Sequence, residues 1–492
     1  MTKNTLPATD AATTARYPKS IPYIIGNEAA ERFSFYGMRS ILATFLVAQF
    51  FNPTADPALQ GVAVAKANET THFFVSLAYT MPFIGAIMAD WFFGKYKVIL
   101  YVSMLYCVGH LLLAVYDHDL EGFRMGLLLI AIGAGCIKSC VSANVGDQFD
   151  KTNQSLMSKV YGWFYFSINA GSVFATILIP EINARYGSAW AFGIPGVLMA
   201  LATLIFFMGR KMYVKNPPSG INKNNFVFIS LYALFNIGKK KKGEHFLDVA
   251  KGAFTPERVE GIKAVYRVMA VFAFIPIYWA MWDQNLSEWV IQAQSLDRHI
   301  FGYELLTEQV QTFNPVFLLT FIPVFTYFVY PFFDRIGLKA TPLRRIGAGL
   351  ILTALSFVII ALIQTRIDAG EHPSVWWQIL AYMILSAGEV LVSITGLEYA
   401  YTQAPKSMKS TMTAIWLLTV AMGNVFVALV NSSIADGGFF SKYQGASYYW
   451  LFIGIISVFI MIYLFVAPRL KERSYVLEPE DDNKIIADTN NL

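Results

Sequence analysis

Residues 346–365 read Ile-Gly-Ala-Gly-Leu-Ile-Leu-Thr-Ala-Leu-Ser-Phe-Val-Ile-Ile-Ala-Leu-Ile-Gln-Thr, without one ionisable side chain between Arg345 and Arg366. A helix of about 20 apolar residues spans the hydrocarbon core of a bilayer. Blocks of this size recur along the whole chain of 492 residues, of which 55% are hydrophobic and only 14% charged. Because soluble domains carry about a quarter charged residues, the sequence predicts an all-α polytopic membrane protein.

Twelve such blocks are predicted to cross the membrane, six on each side of one long connection. The predicted spans are 22–50, 71–93, 97–116, 125–146, 160–180, 187–209, 267–290, 312–332, 346–365, 375–403, 411–433 and 447–467. This pattern divides the chain into a cytoplasmic tail, a six-helix bundle, a cytoplasmic linker, a second six-helix bundle and a second tail. The predicted bounds are 1–21, 22–209, 210–266, 267–467 and 468–492.

The predicted linker contains an apolar run, Phe226 to Phe235, and a basic run, Lys239 to Lys242. The apolar run is too short to span a bilayer, so it is predicted to lie at the membrane interface. The basic run is expected to be attracted to anionic lipid on the inner face.

The basic residues predict the orientation. With the N-terminus inside, each outer loop holds a single lysine or arginine, and the other basic residues outside the spans are cytoplasmic. The six outer residues are Lys66, Arg124, Arg185, Arg298, Arg366 and Lys442. This positive-inside pattern places both termini in the cytoplasm. The short tails and sparse outer loops favour a bacterial inner membrane.

The first predicted span carries four ionisable residues, Glu28, Glu31, Arg32 and Arg39, on one face together with Tyr36. At 100° per residue they fall within an arc of about 140°. One interpretation is a self-neutralising structural stripe. The other is the wall of a polar cavity, in which carboxylates take up protons and guanidinium groups bind a carboxylate.

Depth within the membrane predicts two ion pairs between the halves of the chain. Arg39 and Asp283 lie at a similar depth in the outer half, whereas Lys138 and Glu389 share a deeper level. The first pair would close the outer side and the second the inner side. Protonation of an acid, or insertion of a substrate carboxylate, would break a pair and produce alternating access.

Other polar groups in the spans have two interpretations each. His72 lies on the same face of the second span as Tyr79 and is either a hydrogen-bonded structural residue or a proton relay. A further set of polar groups would bond a peptide backbone or join helices to one another. These are Asn169, Gln284, Asn314, Ser393 and Asn424.

A short segment at the inner end of the second span resembles a motif of the major facilitator superfamily. It reads Gly85-Ala-Ile-Met-Ala-Asp90-Trp-Phe-Phe-Gly94-Lys95-Tyr-Lys97. Small residues there permit close helix contact, and Asp90 is expected to cap or pair at a helix end. The resemblance implies a conformational role for Gly85, Asp90 and Gly94.

Three longer stretches resemble the proton-dependent oligopeptide transporter family. They are Glu28-Ala-Ala-Glu31-Arg32-Phe-Ser-Phe-Tyr36-Gly-Met-Arg39, Phe164-Tyr-Phe-Ser-Ile-Asn169-Ala-Gly171-Ser172, and Gly388-Glu389-Val-Leu-Val-Ser393 continuing to Pro405. Gly135-Cys-Ile-Lys138, and Asp283-Gln284 with Ser287 and Trp289, are similar to two more of its patterns. Together they imply the major facilitator fold of twelve helices in two six-helix bundles.

The resemblance implies a proton-coupled symporter of di- and tripeptides. In this family, residues matching Glu28 and Glu31 take part in proton coupling, and the arginine matching Arg32 helps to hold the site. Those matching Arg39, Lys138, Asp283 and Glu389 are associated with gating and with binding of the peptide termini.

Three departures from the family pattern concern specificity. Phe35 removes one hydroxyl from the usual tyrosine pair of the first helix, and Leu286 and Glu288 change the residues around Ser287. The linker has no room for the two extra helices of many bacterial relatives.

A zwitterionic dipeptide offers a carboxylate, an ammonium group and an amide. Arg32, Arg39 and Lys138 suit the carboxylate through charge-assisted bonds, and Glu389 with Asn169 suits the ammonium group. The side-chain pockets are expected to be lined by Tyr36, Tyr79, Trp289 and Trp416.

Two alternatives stay open. The same scaffold would suit another proton-coupled solute, such as nitrate or a drug-like amide. A membrane-embedded enzyme has little support, since no metal-ligand spacing, nucleophile elbow or phosphate loop is present. A channel is also disfavoured, because paired charges suit occlusion better than an open pore. No cofactor, metal or nucleic-acid partner is expected, and the oligomeric state is left open.

Overall fold

Twelve long helices form the architecture of this computed structural model, which describes residues 16–52, 57–150, 152–221, 224–405 and 408–470. Helices 1 to 6 are Ile21–Phe45 extended by Leu46–Phe50, Leu59–Phe93, Lys95–Val115, Leu120–Asp147, Gln154–Tyr186 and Ser188–Lys211. Helices 7 to 12 are Pro256–Phe272 with Ile275–Ala293, Thr307–Arg335, Pro342–Asp368, Val375–Gln403, Lys409–Ala435 and Ala446–Arg469. Residues 1–15 and 471–492, which make up most of the predicted tails 1–21 and 468–492, lie outside the described residues.

The helices are long and apolar enough for a membrane protein. Among the described residues, ten qualify as spans by length and composition, and the two parts of helix 7 together make an eleventh. Helix 1 is the twelfth, and it is less apolar because it carries Glu28, Glu31, Arg32 and Arg39. All four side chains are buried, so they face protein rather than lipid, as intramembrane charges must.

Each half of the chain packs into its own bundle. In the first half, helix 3 lies against helices 4 and 6, and helix 1 against helices 5 and 6. In the second half, helix 9 lies against helices 10 and 12, and helix 7 against helix 11. The bundles meet where helix 2 contacts helix 11 and where helices 1 and 5 contact helices 7 and 8.

Two helices begin earlier than their apolar blocks predict. Helix 7 was predicted from residue 267 but begins at Pro256, and helix 2 was predicted from residue 71 but includes residues from Pro57 onward. The added turns contain polar residues such as Lys66 and Arg258, which hydropathy does not recognise as part of a span. Helix 7 also bends by 47° between Phe272 and Ile275.

The linker is ordered around one short helix. The predicted interfacial run forms the helix Phe226–Phe235, with Ile229 and Ala233 buried against the protein. Asp248 holds the rest of the linker by accepting hydrogen bonds from Lys251 Nζ at 2.7 Å and Lys263 Nζ at 2.6 Å. These two ammonium groups hold the pKa of Asp248 well below its usual range.

A small feature absent from the prediction lies between helices 7 and 8. Residues His299–Ile300 and Tyr303–Glu304 form a two-stranded antiparallel hairpin. The turn contains Gly302 with φ of 85°, which only glycine adopts readily.

Candidate functional site

The charged face of helix 1 forms a compact ionic cluster. Arg32 Nε lies 2.7 Å from Glu28 Oε1 and 3.0 Å from Glu31 Oε2. Glu28 Oε2 and Glu31 Oε1 have no hydrogen-bond partner among the described residues. Two buried carboxylates therefore share one guanidinium group, an arrangement that favours uptake of a proton or approach of a second cation.

Lys138 of helix 4 is close to this cluster but is held by aromatic rings. Its Nζ lies 3.9 Å from the centre of the Tyr79 ring and 5.4 Å from that of Phe35. The ammonium group lies within the electrostatic range of all three charges of the cluster, Arg32, Glu31 and Glu28. Within the described part of the chain, Lys138 forms no ion pair, so its ammonium donors are free for an external acceptor.

Glu389 of helix 10 stands on the other bundle. Its Oε2 accepts hydrogen bonds from Trp282 Nε1 and Asn314 Nδ2, each at 3.0 Å. A π-helical turn, Val390–Ile394, follows directly, and such turns often occur at functional sites.

The predicted Lys138–Glu389 pair is not formed. Lys138 sits over Tyr79 and Glu389 is bonded to Trp282 and Asn314, so each charge is held by neutral groups of its own bundle. The physical reason lies in the conformation, because the contacts that join the bundles are concentrated at the other end of the molecule.

That other end is closed by the Arg39–Asp283 pair. Arg39 Nη2 lies 2.5 Å from Asp283 Oδ1, and both side chains are fully buried. Asn424 Nδ2 donates to Asp283 Oδ2 at 2.6 Å. His72 lies 2.7 Å from Asn424 Oδ1 through Nδ1 and 2.9 Å from Ser287 Oγ through Nε2. Both ring nitrogens of His72 are thus held between the bundles.

Further contacts seal the same end. Thr44 of helix 1 donates to Glu308 Oε1 at 2.6 Å. Gln311 Nε2 donates to the Ser40 carbonyl at 3.0 Å, and the hydroxyls of Thr312 and Thr176 lie 3.0 Å apart. The structure is closed at this end, which the positive-inside pattern predicts to be the outer one.

The whole arrangement agrees with one known family. Residues 96–451 match the sequence model of the POT family, PTR2. The chain belongs to the POT family.

Individual relatives give the extent of the similarity. The chain is 38% identical to "Peptide transporter 3" of Caenorhabditis elegans over 72% of its own length and 51% of that protein. It is 34% identical to "Solute carrier family 15 member 2" of Mus musculus over 77% of its length and 54% of that protein. It spans about half the length of these curated relatives.

Solved structures of POT-family transporters match along nearly their whole length. The crystal structure of PepTSo is 36% identical, with a TM-score of 0.85 over 92% of this chain and 99% of that one. An "auto inhibited POT family peptide transporter" is 33% identical, with a TM-score of 0.84 over 94% and 99%. The fold is therefore the major facilitator fold.

One of the residues predicted to line a substrate pocket of this POT-family chain does not face the space between the two bundles. Trp289 is fully buried within the second bundle, where its ring packs against Phe357 and Tyr382 at 5.5 Å and 5.1 Å. It does not line a substrate pocket. Helix 7 narrows into a 3₁₀ turn at Asp283–Leu286 and breaks at Ser287, which separates Trp289 from Asp283.

The other predicted binding residues differ in their contacts, since two of them lie near polar groups and the third packs against an aromatic ring. Asn169 Nδ2 donates to the Tyr165 carbonyl at 2.9 Å, so its amide oxygen and its second N–H are left for a ligand. Ser393 Oγ lies 3.4 Å from the Tyr278 hydroxyl. Trp416 is largely buried, with its ring 5.1 Å from that of Phe272.

The facilitator motif of the POT-family chain shows the predicted close helix contact, whereas among the described residues the Asp90 side chain forms no ion pair. Gly85 lies so close to helix 4 that an added Cβ would be 2.6 Å from Cys136 Cα. Gly94 adopts a φ of 80° at the start of helix 3. The ion pair at this end joins Lys95 to Asp147 at 2.7 Å, while the Asp90 carbonyl accepts from Ser219 N of the linker.

Several residues near the predicted site were not predicted from the sequence, and three of them contact acidic side chains or helix 1. Trp282 supports Glu389, Glu308 bonds helix 1, and Asn68 bonds Glu288. The charge of Glu308 was a usable signal, because it is an acid at the outer end of a span. Trp282 and Asn68 carry no comparable signal, since their roles depend on how each helix is rotated.

Proposed function

We propose that this chain imports di- and tripeptides together with protons by alternating access. It would act in the cell membrane with both termini in the cytoplasm, and its short outer loops suggest a bacterial inner membrane. The relatives and solved neighbours named as peptide transporters support this proposal, and the site suggests how the activity works.

One observation carries the proposal. Lys138 and Glu389 project from opposite bundles, and neither forms an ion pair among the described residues. A zwitterionic peptide fits between such groups, with its carboxylate toward Lys138 and Arg32 and its ammonium group toward Glu389. Peptides of different sequence share these termini, so one site would accept many side chains.

The helix 1 cluster suggests how protons are coupled. Glu28 and Glu31 share Arg32, so a proton on either carboxylate would free part of the guanidinium group for the peptide carboxylate. Release of the peptide would restore the internal ion pairs and expel the proton toward the cytoplasm. Inward proton flow would then drive peptide accumulation.

The two predicted pairs would serve as alternating gates. Arg39–Asp283 closes one end in this structure, the end that the charge pattern predicts to be the outer one, whereas Lys138 and Glu389 form no pair. Approach of the inner halves would bring Lys138 and Glu389 together, while the outer pair separates. Protonation of Asp283 or Glu389 would weaken the corresponding gate.

Glu389 discriminates between the proposed function and its alternatives. A simple anion such as nitrate requires cations but no carboxylate, whereas a peptide ammonium group is matched by Glu389. A membrane-embedded enzyme has no support from the POT-family relationship.

Uptake of labelled dialanine into liposomes under an inward proton gradient tests the proposal. We expect Glu389→Gln to lower peptide affinity by about 10- to 100-fold, because a charge-assisted bond of about 1.5–3 kcal/mol is lost. Glu398→Gln is the matched control, since this partly exposed acid of helix 10 lies 3.6 Å from Arg345 within its own bundle. Equal uptake by wild type and Glu389→Gln, or transport of nitrate without dialanine, would reject the peptide assignment.

A further inference from the structure

Glu288 is an ionisable residue that the proposed transport cycle leaves without a role. It lies directly after the break in helix 7, at the start of the segment Glu288–Ala293. Its side chain is partly buried at the interface with helix 2. No cation lies within ion-pair distance of Glu288 among the described residues. A carboxylate at such depth without a cation is costly unless it is hydrated or protonated.

A cavity of about 320 Å³ gives Glu288 access to water. We call this cavity the vestibule, and it is formed by the outer ends of helices 2, 7, 9, 11 and 12. Its polar lining includes Gln60, Glu288, Gln292, Gln364, Asp368 and Asn431. None of its lining residues in the described part of the chain is a lysine or arginine, so the vestibule favours positive charge.

Asn68 connects Glu288 to the other bundle. Its Nδ2 donates a hydrogen bond to Glu288 Oε2, and the Tyr449 hydroxyl lies 3.5 Å from Oε1. Asn68 is fully buried, and its Oδ1 has no hydrogen-bond partner among the described residues. A protonated carboxyl group would donate its O–H to that amide oxygen while still accepting from Nδ2. An amide and a neutral acid thus form two hydrogen bonds where an amide and a carboxylate form one.

Other titratable groups face the same place. Asp368 and Tyr448 line the vestibule with Glu288. One turn from Asn68, His72 bonds Ser287, and Asp283 lies earlier in helix 7. These groups also respond to pH, so a test of Glu288 requires a variant that removes its titration alone.

We propose that Glu288 is a proton-accepting carboxylate of the outer gate, reached from outside through the vestibule, whose neutral form joins helices 2 and 7 through Asn68. The closed gate binds the proton more tightly than an open, hydrated gate, so a low external pH favours closure by linkage. The direction of this effect rests on the proposed import of protons, in which uptake from outside precedes closure.

A distance measurement without substrate tests this gate. Spin labels are placed at Lys66→Cys and Lys442→Cys, two exposed positions on the outer side of opposite bundles. The native cysteines Cys107, Cys136 and Cys140 are replaced by serine. Pulsed electron resonance then gives the ratio of open to closed outer gates between external pH values of about 5.5 and 8.

We expect this ratio to rise with external pH in the parent protein. In Glu288→Gln it should stay near its low-pH value, because the glutamine amide also exchanges two hydrogen bonds with Asn68. Linkage to one proton changes the ratio of open to closed gates by at most about tenfold per pH unit. Between the two pH values, the change in this ratio should be at least about tenfold smaller in Glu288→Gln than in the parent protein. Asn68→Ala should instead leave the gate open more often at low pH.

Glu69→Gln is the matched control, since this neighbouring acid of helix 2 lines a different cavity with Phe73 and Arg124. It should keep the parent response. An unchanged pH response in Glu288→Gln, or none in the parent protein, would overturn the proposal. Because no peptide is added, failure of dialanine transport would reject the proposed function without deciding the role of Glu288.

Discussion

Lys138 is held by aromatic rings rather than by a carboxylate. Its Nζ lies 3.9 Å from the centre of the Tyr79 ring. A cation over a ring is stabilised by about 0.5–2 kcal/mol, yet its N–H groups stay available to a hydrogen-bond acceptor. The Tyr79 ring therefore positions the ammonium group without neutralising it, as the proposed binding of a substrate carboxylate requires.

Replacement of Tyr79 tests this positioning at the scale of one residue. Tyr79→Leu removes the ring and should raise the KM for dialanine by about 3- to 30-fold, the equivalent of the lost cation–π energy. Tyr79→Phe keeps the ring and should change the KM by less than about threefold. The measurement is initial uptake at varied dialanine concentration. Equal KM values for the two variants would show that the ring does not position Lys138.

Single residues show where prediction from sequence succeeds and where it stops. Four charges in helix 1 and the acids Asp283 and Glu389 are visible as departures from apolar spans, and depth placed Arg39 beside Asp283. Depth does not give the rotation of a helix about its axis. The positions of Trp289 in the bundle core and of Lys138 over Tyr79 depend on this rotation, so they could not be predicted from residue spacing.

At the scale of helices, close packing depends on glycine at a few contacts. Helix 2 approaches helix 4 at Gly85, where an added Cβ would be 2.6 Å from both Cys136 Cα and its carbonyl oxygen. These are backbone atoms and do not move independently of helix 4. The first position of the facilitator motif therefore requires glycine, because any side chain there would overlap the backbone of helix 4.

Gly85→Ala should destabilise the protein by about 1–3 kcal/mol, the usual cost of overpacking a well-packed contact. The control is Gly454→Ala, since nothing lies within 4 Å of a Cβ added at that position of helix 12. Thermal unfolding in detergent measures both variants. A Tm for Gly85→Ala equal to that of Gly454→Ala would contradict the packing assigned to helices 2 and 4.

Helix ends show a second limit of the sequence. Apolar blocks locate each span, but helices 2 and 7 continue into polar turns whose residues are solvated outside the membrane. The start of helix 7 at Pro256 follows from local chemistry, because proline is favoured in the first turn of a helix. The bend between Phe272 and Ile275 has no comparable signal in the hydropathy of the chain.

At the scale of the whole molecule, two bundles meet through contacts at one end. Arg39–Asp283, Thr44–Glu308 and Thr176–Thr312 all join the ends of the bundles that are predicted to be the outer ones. The two sets of six helices were predictable, because the apolar blocks that form them follow from composition along the chain; the orientation inferred from the positive-inside pattern stays a prediction. The conformation was not predictable, since two packings of one sequence differ by only a few kcal/mol.

A cross-link between the outer halves should stop transport. The hydroxyls of Thr176 and Thr312 lie 3.0 Å apart, close enough for cysteines at these positions to form a disulfide. In a background without native cysteines, oxidation of the double variant should abolish dialanine uptake and reduction should restore it. Each single-cysteine variant is the control. Undiminished uptake by the fully oxidised double variant would contradict rocking of the two bundles.

The most direct measurement of proton-coupled import uses purified protein in liposomes loaded with a pH-sensitive dye. Dialanine is added outside without a pH gradient, and the membrane voltage is set negative inside. The wild type should acidify the interior only when dialanine is present. Glu28→Gln keeps an oxygen acceptor for Arg32 but not the proton-accepting carboxylate, so this variant should not acidify the liposome interior. If dialanine moved no protons in the wild type, while a competent control transporter did move them, the proposed peptide import would be contradicted. Acidification by Glu28→Gln at the wild-type rate would instead exclude Glu28 from proton coupling.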